Sequence, residues 1–433
     1  MASPSRPTPD RARGERDDLR VLGMMSGTSV DAIDAALVEF SVQGATLSAR
    51  VVGFREMSMP DALREELLSV LPGGSGDVER GGPAQWCRLD TDMGQAYARA
   101  AVAALKELGP ADLVSMHGQT LFHWVEGGVT RGSLQIGNPA WVAEATGLPV
   151  VSDLRSADIA AGGQGAPLAS TLDALWLRGS QSAALNLGGI ANLTLVDGRR
   201  VLCGDTGPAN CLMDALAMRE FGLPHDAEGR IAASGAVDHG ALEALIADPY
   251  FAQPMPKSTG REYFHLGWLS DRLAGIGPLS PTDLMATVAE LTARSVADAL
   301  ARARAEGWAI ERLVASGGGT KNPVLMRRLE ALSGIQCARS DQLGVPSQAK
   351  ESVLFALLGW LAVHGLSGTV SGTEGPVTGA RATRVLGSLT PATPLNCSPP
   401  TLAPPTHAPP THEPLNVSHM TELAELVIVR EDT

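Results

Sequence analysis

The feature that most limits the fold is a strand–glycine turn–strand unit that occurs twice. Early in the chain "VLGMM" enters the turn "SGTSVD" and leaves as "AALVEF"; later "AALNLGG" turns into "ANLTLVDG". Each is an apolar run of strand length broken by residues that favour tight turns. Between and after them, strand and helix patterns alternate. "DLVSMHG", "PVVSDL" and "ERLVASGGG" read as short buried strands, and 60–72 and 92–108 carry apolar residues at helical spacing. The stretch 280–307 predicts a long helix, capped by Ser280, opened by Pro281 and stopped by Gly307. "SVLFALLGWLAVHG" predicts a buried helix. This alternation is α/β, with glycines or acids at the strand ends, where ligands gather in such sheets. Two like units in one chain predict two related lobes facing a cleft.

The bulk numbers fit two or three domains, or one large two-lobed enzyme. The chain has 433 residues, 44% of them apolar, and a net charge of −13. That charge argues against a nucleic-acid partner or an anionic membrane surface. The five cysteines (Cys87, Cys203, Cys211, Cys337, Cys397) include no C-x-x-C pair, so neither a zinc site nor a disulfide framework is expected. No apolar run approaches membrane-spanning length, and the first residues lack the apolar core of a signal peptide. A soluble cytoplasmic protein is expected. Residues 1–18 are charged and proline-containing, and are expected to be disordered. Residues 391–433 form a Pro-rich tail in which "APPTH" repeats and "MTELAELVIVRED" has the composition of one short helix or strand.

The turn "GMMSGTSVDAID" explains its own composition. Gly27, Thr28 and Ser29 expose consecutive N–H groups and hydroxyls, a concave anion nest that needs no lysine. Asp31 and Asp34 just behind it can hold Mg²⁺, which then bridges phosphate oxygens. The bland alternative is a hairpin turn with two solvated acids. No G-x-x-x-x-G-K-[ST] occurs, so this is not a P-loop. Gly188 and Gly189 allow close backbone approach at a second turn, Asp205 precedes a Gly-Pro corner, and Gly317, Gly318 and Gly319 end a strand before Asn322 and Pro323 open a helix. In "VVSDLRSADIAAGGQGAPL" an acid beside mobile glycines suits a general base. In "SMHGQT", His117 and Gln119 suit sugar contacts, although His117 can equally be a hydrogen-bonded core histidine.

The order of these segments resembles the actin, sugar-kinase and heat-shock ATPase superfamily, in which two lobes clamp ATP. Residues 21–388, through "GMMSGTSVDAID", "HGQT", "LQIGNPAWVAEATGLPVVSDLRSADIAAGGQGAPL", "NLGGIANLTL", "DTGPANCLMD", "STGREYFHLGWL", "SGGGTKNPVLM" and "VTGA", resemble the anhydro-N-acetylmuramic acid kinase family. The resemblance implies a two-lobed actin-like (ribonuclease H-like) fold with its site in the interlobe cleft. Lobe 1 is then expected at 19–135 with a return of 366–390, and lobe 2 at 136–365. It implies ATP-dependent opening of the 1,6-anhydro sugar ring with phosphorylation of O6, ATP and Mg²⁺ as cofactors, and a homodimer. By resemblance Asp158 is the base. Gly27, Thr28, Ser29, Asp31, Asp34, Gly188, Gly189, Asp205, Gly317, Gly318, Gly319 and Asn322 serve ATP, with Asp31 and Asp205 on the metal. His117, Gln119, Arg155 and Glu351 line the sugar site, and Arg155 or Arg261 can read the lactyl carboxylate. The sequence departs from the family after "GQGAPL", where "ASTLDALWL" stands in place of a helix carrying histidine. Ala32 stands where a glycine is usual, and Pro346-Ser347 where Pro-Asp is usual. The rival readings are levoglucosan kinase, a non-catalytic ATP/sugar sensor and a nucleotide-independent hydrolase.

Overall fold

The computed structural model describes residues 19–27, 30–43, 46–71, 82–127, 129–261, 263–373, 375–392 and 425–429. The segment 1–18 and the turn residues Thr28 and Ser29 therefore lie outside the described residues. The strands are β1 (Leu19–Met25), β2 (Ala32–Gln43), β3 (Thr46–Ser58), β4 (Leu113–Met116), β5 (Gln119–Glu126), β6 (Val129–Ile136), β7 (Val150–Ser152), β8 (Gln181–Leu187), β9 (Ile190–Asp197), β10 (Arg200–Pro208), β11 (Arg312–Ser316), β12 (Gln336–Arg339), β13 (Ser388–Thr390) and β14 (Glu425–Val429).

Two sheets repeat one topology. In the first, five strands run β3–β2–β1–β4–β7; in the second, β10–β9–β8–β11–β12. In each, a three-stranded antiparallel meander comes first and two parallel strands follow beside its first strand. Parallel neighbours require crossovers, and the helices between them supply these. The duplicated order is the ribonuclease H-like plan of the two-lobed actin-like fold, and the twice-occurring strand–turn–strand unit is β1–β2 and β8–β9.

The first sheet is covered on both faces. Ala96, Ala100 and Ala104 of helix Pro83–Leu108 are small residues buried at four-residue spacing, so the helix lies close to the sheet. The other face takes helix Lys350–Val363, whose Val353, Leu357 and Trp360 are buried. Backbone contact sets that packing. A Cβ on Gly23 would stand 2.0 Å from Ser352 O, and one on Gly359 would stand 2.4 Å from Ser115 Cβ. The second sheet packs against helix Pro281–Ala305, which Ser280 caps by accepting from the Asp283 N–H at 3.1 Å.

Three expectations shift. β7 pairs with β4 in the first sheet, and helix Lys350–Val363 packs on β1, so the divisions expected at residues 136 and 365 cut through the first lobe. The helix expected at 92–108 begins at Pro83, after Gly82. Residues 425–429 are not tail: β14 pairs in parallel with β3. Among the described residues no helix is long and apolar enough to cross a membrane.

Candidate functional site

The first sheet gathers one cluster of polar side chains at the ends of its central strands. β1 ends at Met25, and Ser26 and Gly27 turn the chain toward β2. Val30 N–H donates to Gly27 O at 3.1 Å, which closes that turn. Gln119, fully buried at the start of β5, braces it. Its carbonyl oxygen accepts from Ser26 Oγ, and its amide nitrogen donates to Gly27 O at 3.3 Å and Thr120 O at 3.1 Å. The amide of Gln119 is thus taken up by the turn.

His117 follows β4, and its N–H donates to Met24 O at 3.0 Å. Arg155 Nε donates to His117 Nε2 at 3.0 Å. Arginine has no acceptor, so Nε2 is the bare nitrogen and Nδ1–H donates to Gly118 O at 2.9 Å. Burial, then the Arg155 charge, push the His117 pKa down to about 3. The ring stays neutral and acts as a post for Arg155. Arg155 also donates through Nη1 to Gly165 O at 2.5 Å. Burial lowers its pKa to about 10, with Glu351 and Asp158 acting in the opposite sense, so it remains a cation at neutral pH.

Asp158 sits in the short helix Ser156–Ala160 with no solvent exposure. Its Oδ2 accepts from the Gly165 N–H at 2.8 Å, and its Oδ1 from Thr378 Oγ1 at 2.6 Å. Thr378 arrives from 220 residues away, while Gln164 N–H donates back to Thr378 O at 2.9 Å. The glycine run is sterically required: a Cβ on Gly163 would stand 2.2 Å from Asp158 Oδ2. Glu351 opens helix Lys350–Val363 and keeps solvent access. Its surroundings nonetheless raise its pKa, chiefly by desolvation, with Lys350 and Arg155 opposing. Beneath it, Lys350 Nζ and Asp173 Oδ1 form a buried ion pair at 2.6 Å.

Asp34 lies in β2, paired with Met25 and beside Glu56. Burial, then Glu56, Glu351 and Asp31, raise its pKa to about 7, and its Oδ1 has no hydrogen-bond partner among the described residues. Asp31 is exposed at the turn. Its backbone oxygen accepts from Met59 N–H at 2.8 Å.

The second sheet gathers the other cluster. Gly188 O accepts from Asn210 N–H, and Gly189 O from Ala209 and Cys211 N–H, all at 3.0 Å. This ties the β8–β9 turn to the helix Asn210–Phe221. The Arg261 guanidinium lies over the turn, with Nε and Nη2 3.1 Å from where a Cβ on Gly189 would be. Asp205 Oδ2 accepts from Thr259 N–H at 2.9 Å. Gly317, at φ +87, stands against Asn186 Oδ1 and Leu187 O; Gly318 and Gly319 follow beside Asn210. Asn322 is a helix cap: its Oδ1 accepts from Val324 and Leu325 N–H at 3.0 and 3.1 Å.

The structure thus brings His117, Arg155, Asp158 and Glu351 into one cluster, and Gly188, Gly189 and Gly317–Gly319 into another. Thr378, Gly163 and the Lys350–Asp173 pair were missed as site residues. Thr378 lies in "VTGA", a short stretch with no local pattern that points to Asp158. Among the described residues no three His, Cys, Asp or Glu side chains converge on one metal position, so Asp31 and Asp205 build no all-protein cage. Mg²⁺ commonly uses only one or two carboxylates plus substrate phosphates and water. The unpartnered oxygen of Asp34 and the exposed carboxylate of Asp31 fit that mode.

Comparison with known proteins points one way. The family model described as anhydro-N-acetylmuramic acid kinase matches residues 19–392. A protein of that name from Streptomyces avermitilis is 53% identical over 381 residues, covering 86% of this chain and 94% of that one. Another from Streptomyces coelicolor is 51% identical over 383 residues, covering 86% and 94%. Among solved structures, a ROK family glucokinase from Streptomyces griseus in complex with glucose and AMPPNP covers 79% of this chain and 99% of its own, at 12% identity and TM-score 0.36, too distant to carry an argument. With one match spanning nearly every described residue and full-length relatives above half identity, the chain belongs to the anhydro-N-acetylmuramic acid kinase family.

Proposed function

We propose that the chain is an ATP-dependent kinase that hydrolytically opens 1,6-anhydro-N-acetylmuramic acid and phosphorylates O6, giving N-acetylmuramic acid 6-phosphate and ADP. The observation that carries the reading is Asp158, a fully buried carboxylate with each oxygen held by one donor. Each oxygen keeps a second lone pair. A carboxylate so aimed takes a proton from water at the moment the water oxygen bonds to the anomeric carbon. The C1–O6 bond breaks, O6 bonds to the γ-phosphorus, and the bridge to ADP breaks behind it. Because Asp158 has no exposure, the water it activates is one admitted with the sugar.

Arg155 holds the glycine loop through Gly165 O and leans on His117, so its first task is to shape the loop around Asp158. Glu351 faces the same cation and is placed against the sugar. Arg261, over the Gly189 turn, is placed against phosphate. Ser26, Gly27, Gly188, Gly189 and Gly317–Gly319 offer backbone N–H groups and flat surface to the nucleotide. Mg²⁺, when bound beside Asp31 and Asp34, supplies neutralisation of the phosphate charge. The reaction consumes ATP, which sets it in the cytoplasm, and the homodimer expected from the resemblance belongs to the same reading.

The test is product analysis by mass after reaction with ATP in ¹⁸O-labelled water. Label at the anomeric position together with a 6-phosphate supports coupled hydrolysis and transfer. Product formed without ATP, an unlabelled product, or faster turnover of levoglucosan than of the muramic sugar would overturn the reading.

A further inference from the structure

Among the described residues, Thr378 is the only side chain that donates a hydrogen bond to Asp158; the other donor is the backbone N–H of Gly165. Thr378 is buried, and the chain around it grips the whole base loop. Its backbone oxygen accepts from Gln164 N–H at 2.9 Å. Arg381 donates through its N–H to Ala161 O at 3.0 Å and through Nη2 to Ala160 O at 3.3 Å. The same stretch also stands on the second sheet. Val377 N–H donates to Val370 O at 3.0 Å and Ser371 bridges Pro376, which folds the chain into a tight loop just before Thr378. That loop lies against β10. A Cβ on Gly372 would stand 2.8 Å from Val201 O, and Cys203 Sγ lies 3.9 Å from Val377 O. Val201 and Val370 are buried in one apolar cluster, and Val377 packs against it. Further along, β10 carries Asp205. Adjacent residues thus meet the two lobes: the carbonyl of Val377 faces β10, and the hydroxyl of Thr378 holds the base. The peptide between them is a rigid plane, so the position of β10 passes to Thr378 with no soft torsion inside that unit.

We propose that Thr378 is a positioning residue for the base and that its own place is set by β10, through Gly372 and Val377, so that the second lobe fixes the aim of a carboxylate in the first. The inference rests on the proposed reaction with Asp158 as proton acceptor. A threonine hydroxyl has one proton to give, and here it goes to Asp158 Oδ1. With both oxygens tied, the carboxylate plane is fixed and a free lone pair keeps one direction for the proton of water. With the Thr378 donor gone, only Gly165 N–H remains, and the plane turns about the Cβ–Cγ bond. Substrate recognition does not run through Thr378, so its loss reaches the chemical step and leaves sugar affinity alone.

The test is a set of variants of the full chain, measured for kcat with ATP and the anhydro sugar, and for sugar binding by calorimetry. Thr378→Val keeps the shape and removes the donor; kcat is expected to fall about 10- to 100-fold with sugar Kd within about three-fold. Thr378→Ser returns the hydroxyl and is expected to recover at least about a third of the wild-type kcat. Thr378→Val added to Asp158→Asn is expected to cost nothing further, because both changes disable one group. Gly372→Ala presses on β10 and not on Asp158; it is expected to lower kcat at least about five-fold in the wild-type chain and not in the Thr378→Val chain. A Thr378→Val chain within two-fold of wild type, or a serine variant as slow as the valine one, overturns the role of the hydroxyl. A Gly372→Ala chain at the wild-type rate overturns the link to β10. Should Thr378→Val fail to fold, Gly372→Ala decides by the same reading, a lower kcat at unchanged sugar affinity. An Asp158→Asn chain that keeps its rate overturns the base itself, whereas an inactive Asp158→Asn chain beside an unaffected Thr378→Val chain overturns this inference alone.

Discussion

Gly163→Ala isolates the geometry on which the chemistry rests. The new methyl would stand 2.2 Å from Asp158 Oδ2, 2.6 Å from Cγ and 2.8 Å from Oδ1. Ordinary contact needs roughly 3.5 Å, so the carboxylate must retreat by about 1 Å. Retreat is not a simple rotation, because Gly165 N–H at 2.8 Å and Thr378 Oγ1 at 2.6 Å hold both oxygens. Breaking one such bond to a charged group costs about 1.5–3 kcal/mol. Gly163 is not among the positive-φ residues, so alanine adds no backbone strain and the effect is purely steric. A displacement of that size at a reacting group costs on the order of 10²-fold in rate, or about 2.7 kcal/mol of barrier. Steady-state ADP release is the assay, with KM for ATP as the control, since Gly188, Gly189 and Gly317–Gly319 lie on the other sheet and Gly163 touches none of the residues assigned to the nucleotide. The expected result is kcat down about 100-fold with KM for ATP within two-fold. The double variant with Asp158→Asn should be no slower than Asp158→Asn alone, because both changes disable one group. A Gly163→Ala enzyme with kcat within two-fold of wild type refutes the placement of Asp158 as the base.

Asp158→Asn removes the proton acceptor while keeping the shape; turnover should fall at least 10³-fold with ATP binding by calorimetry nearly unchanged, and retention of more than a few per cent of the rate would contradict the assignment. Asp34, raised to about 7 in the fold from 3.8, binds a proton more tightly folded than unfolded. Its contribution is therefore fully present below pH ~4 and lost as pH rises through ~7, up to about 4 kcal/mol; denaturant titrations across that window should show the slope flatten in Asp34→Asn. Lys350→Met strands a buried Asp173 and should cost about 3–5 kcal/mol, while Lys350→Met with Asp173→Leu should recover most of it; chemical denaturation separates these outcomes. Asn322→Ala should cost about 0.5–2 kcal/mol through the lost helix cap and leave KM for ATP within two-fold; a large rise in KM would return Asn322 to the nucleotide.

Much of the fold is legible because it rests on local signals. Ser280, Pro281 and the apolar spacing behind them specify the helix Pro281–Ala305 wherever it packs. The glycines and acids of "GMMSGTSVDAID" mark a turn between strands, and Asp158 beside "GGQG" marks a carboxylate next to backbone that can approach closely. Lobe membership is a different kind of fact. Helix Lys350–Val363 is apolar nearly all round, so its pattern names no partner; the contact of Ser352 O with Gly23 assigns it to the first sheet. The backbone partners of Gln119 and Asn322 were not legible for a related reason. An amide is suited equally to ligand and to backbone, and only the neighbours show which one claimed it.

By itself the sequence determined the duplicated strand–turn–strand plan, because that depends on residue type and spacing along the chain, and its motifs resembled a family from which the candidate base Asp158 was carried over. Tertiary structure alone decided that Thr378 steadies Asp158, that His117 is a neutral post for Arg155, and that Lys350 neutralises Asp173. It also decided that the chain's last strand completes its first sheet. The physical reason is the same in each case: hydrogen bonds and buried charges are satisfied by whatever lies within about 3 Å, and which residue that is depends on how distant segments pack.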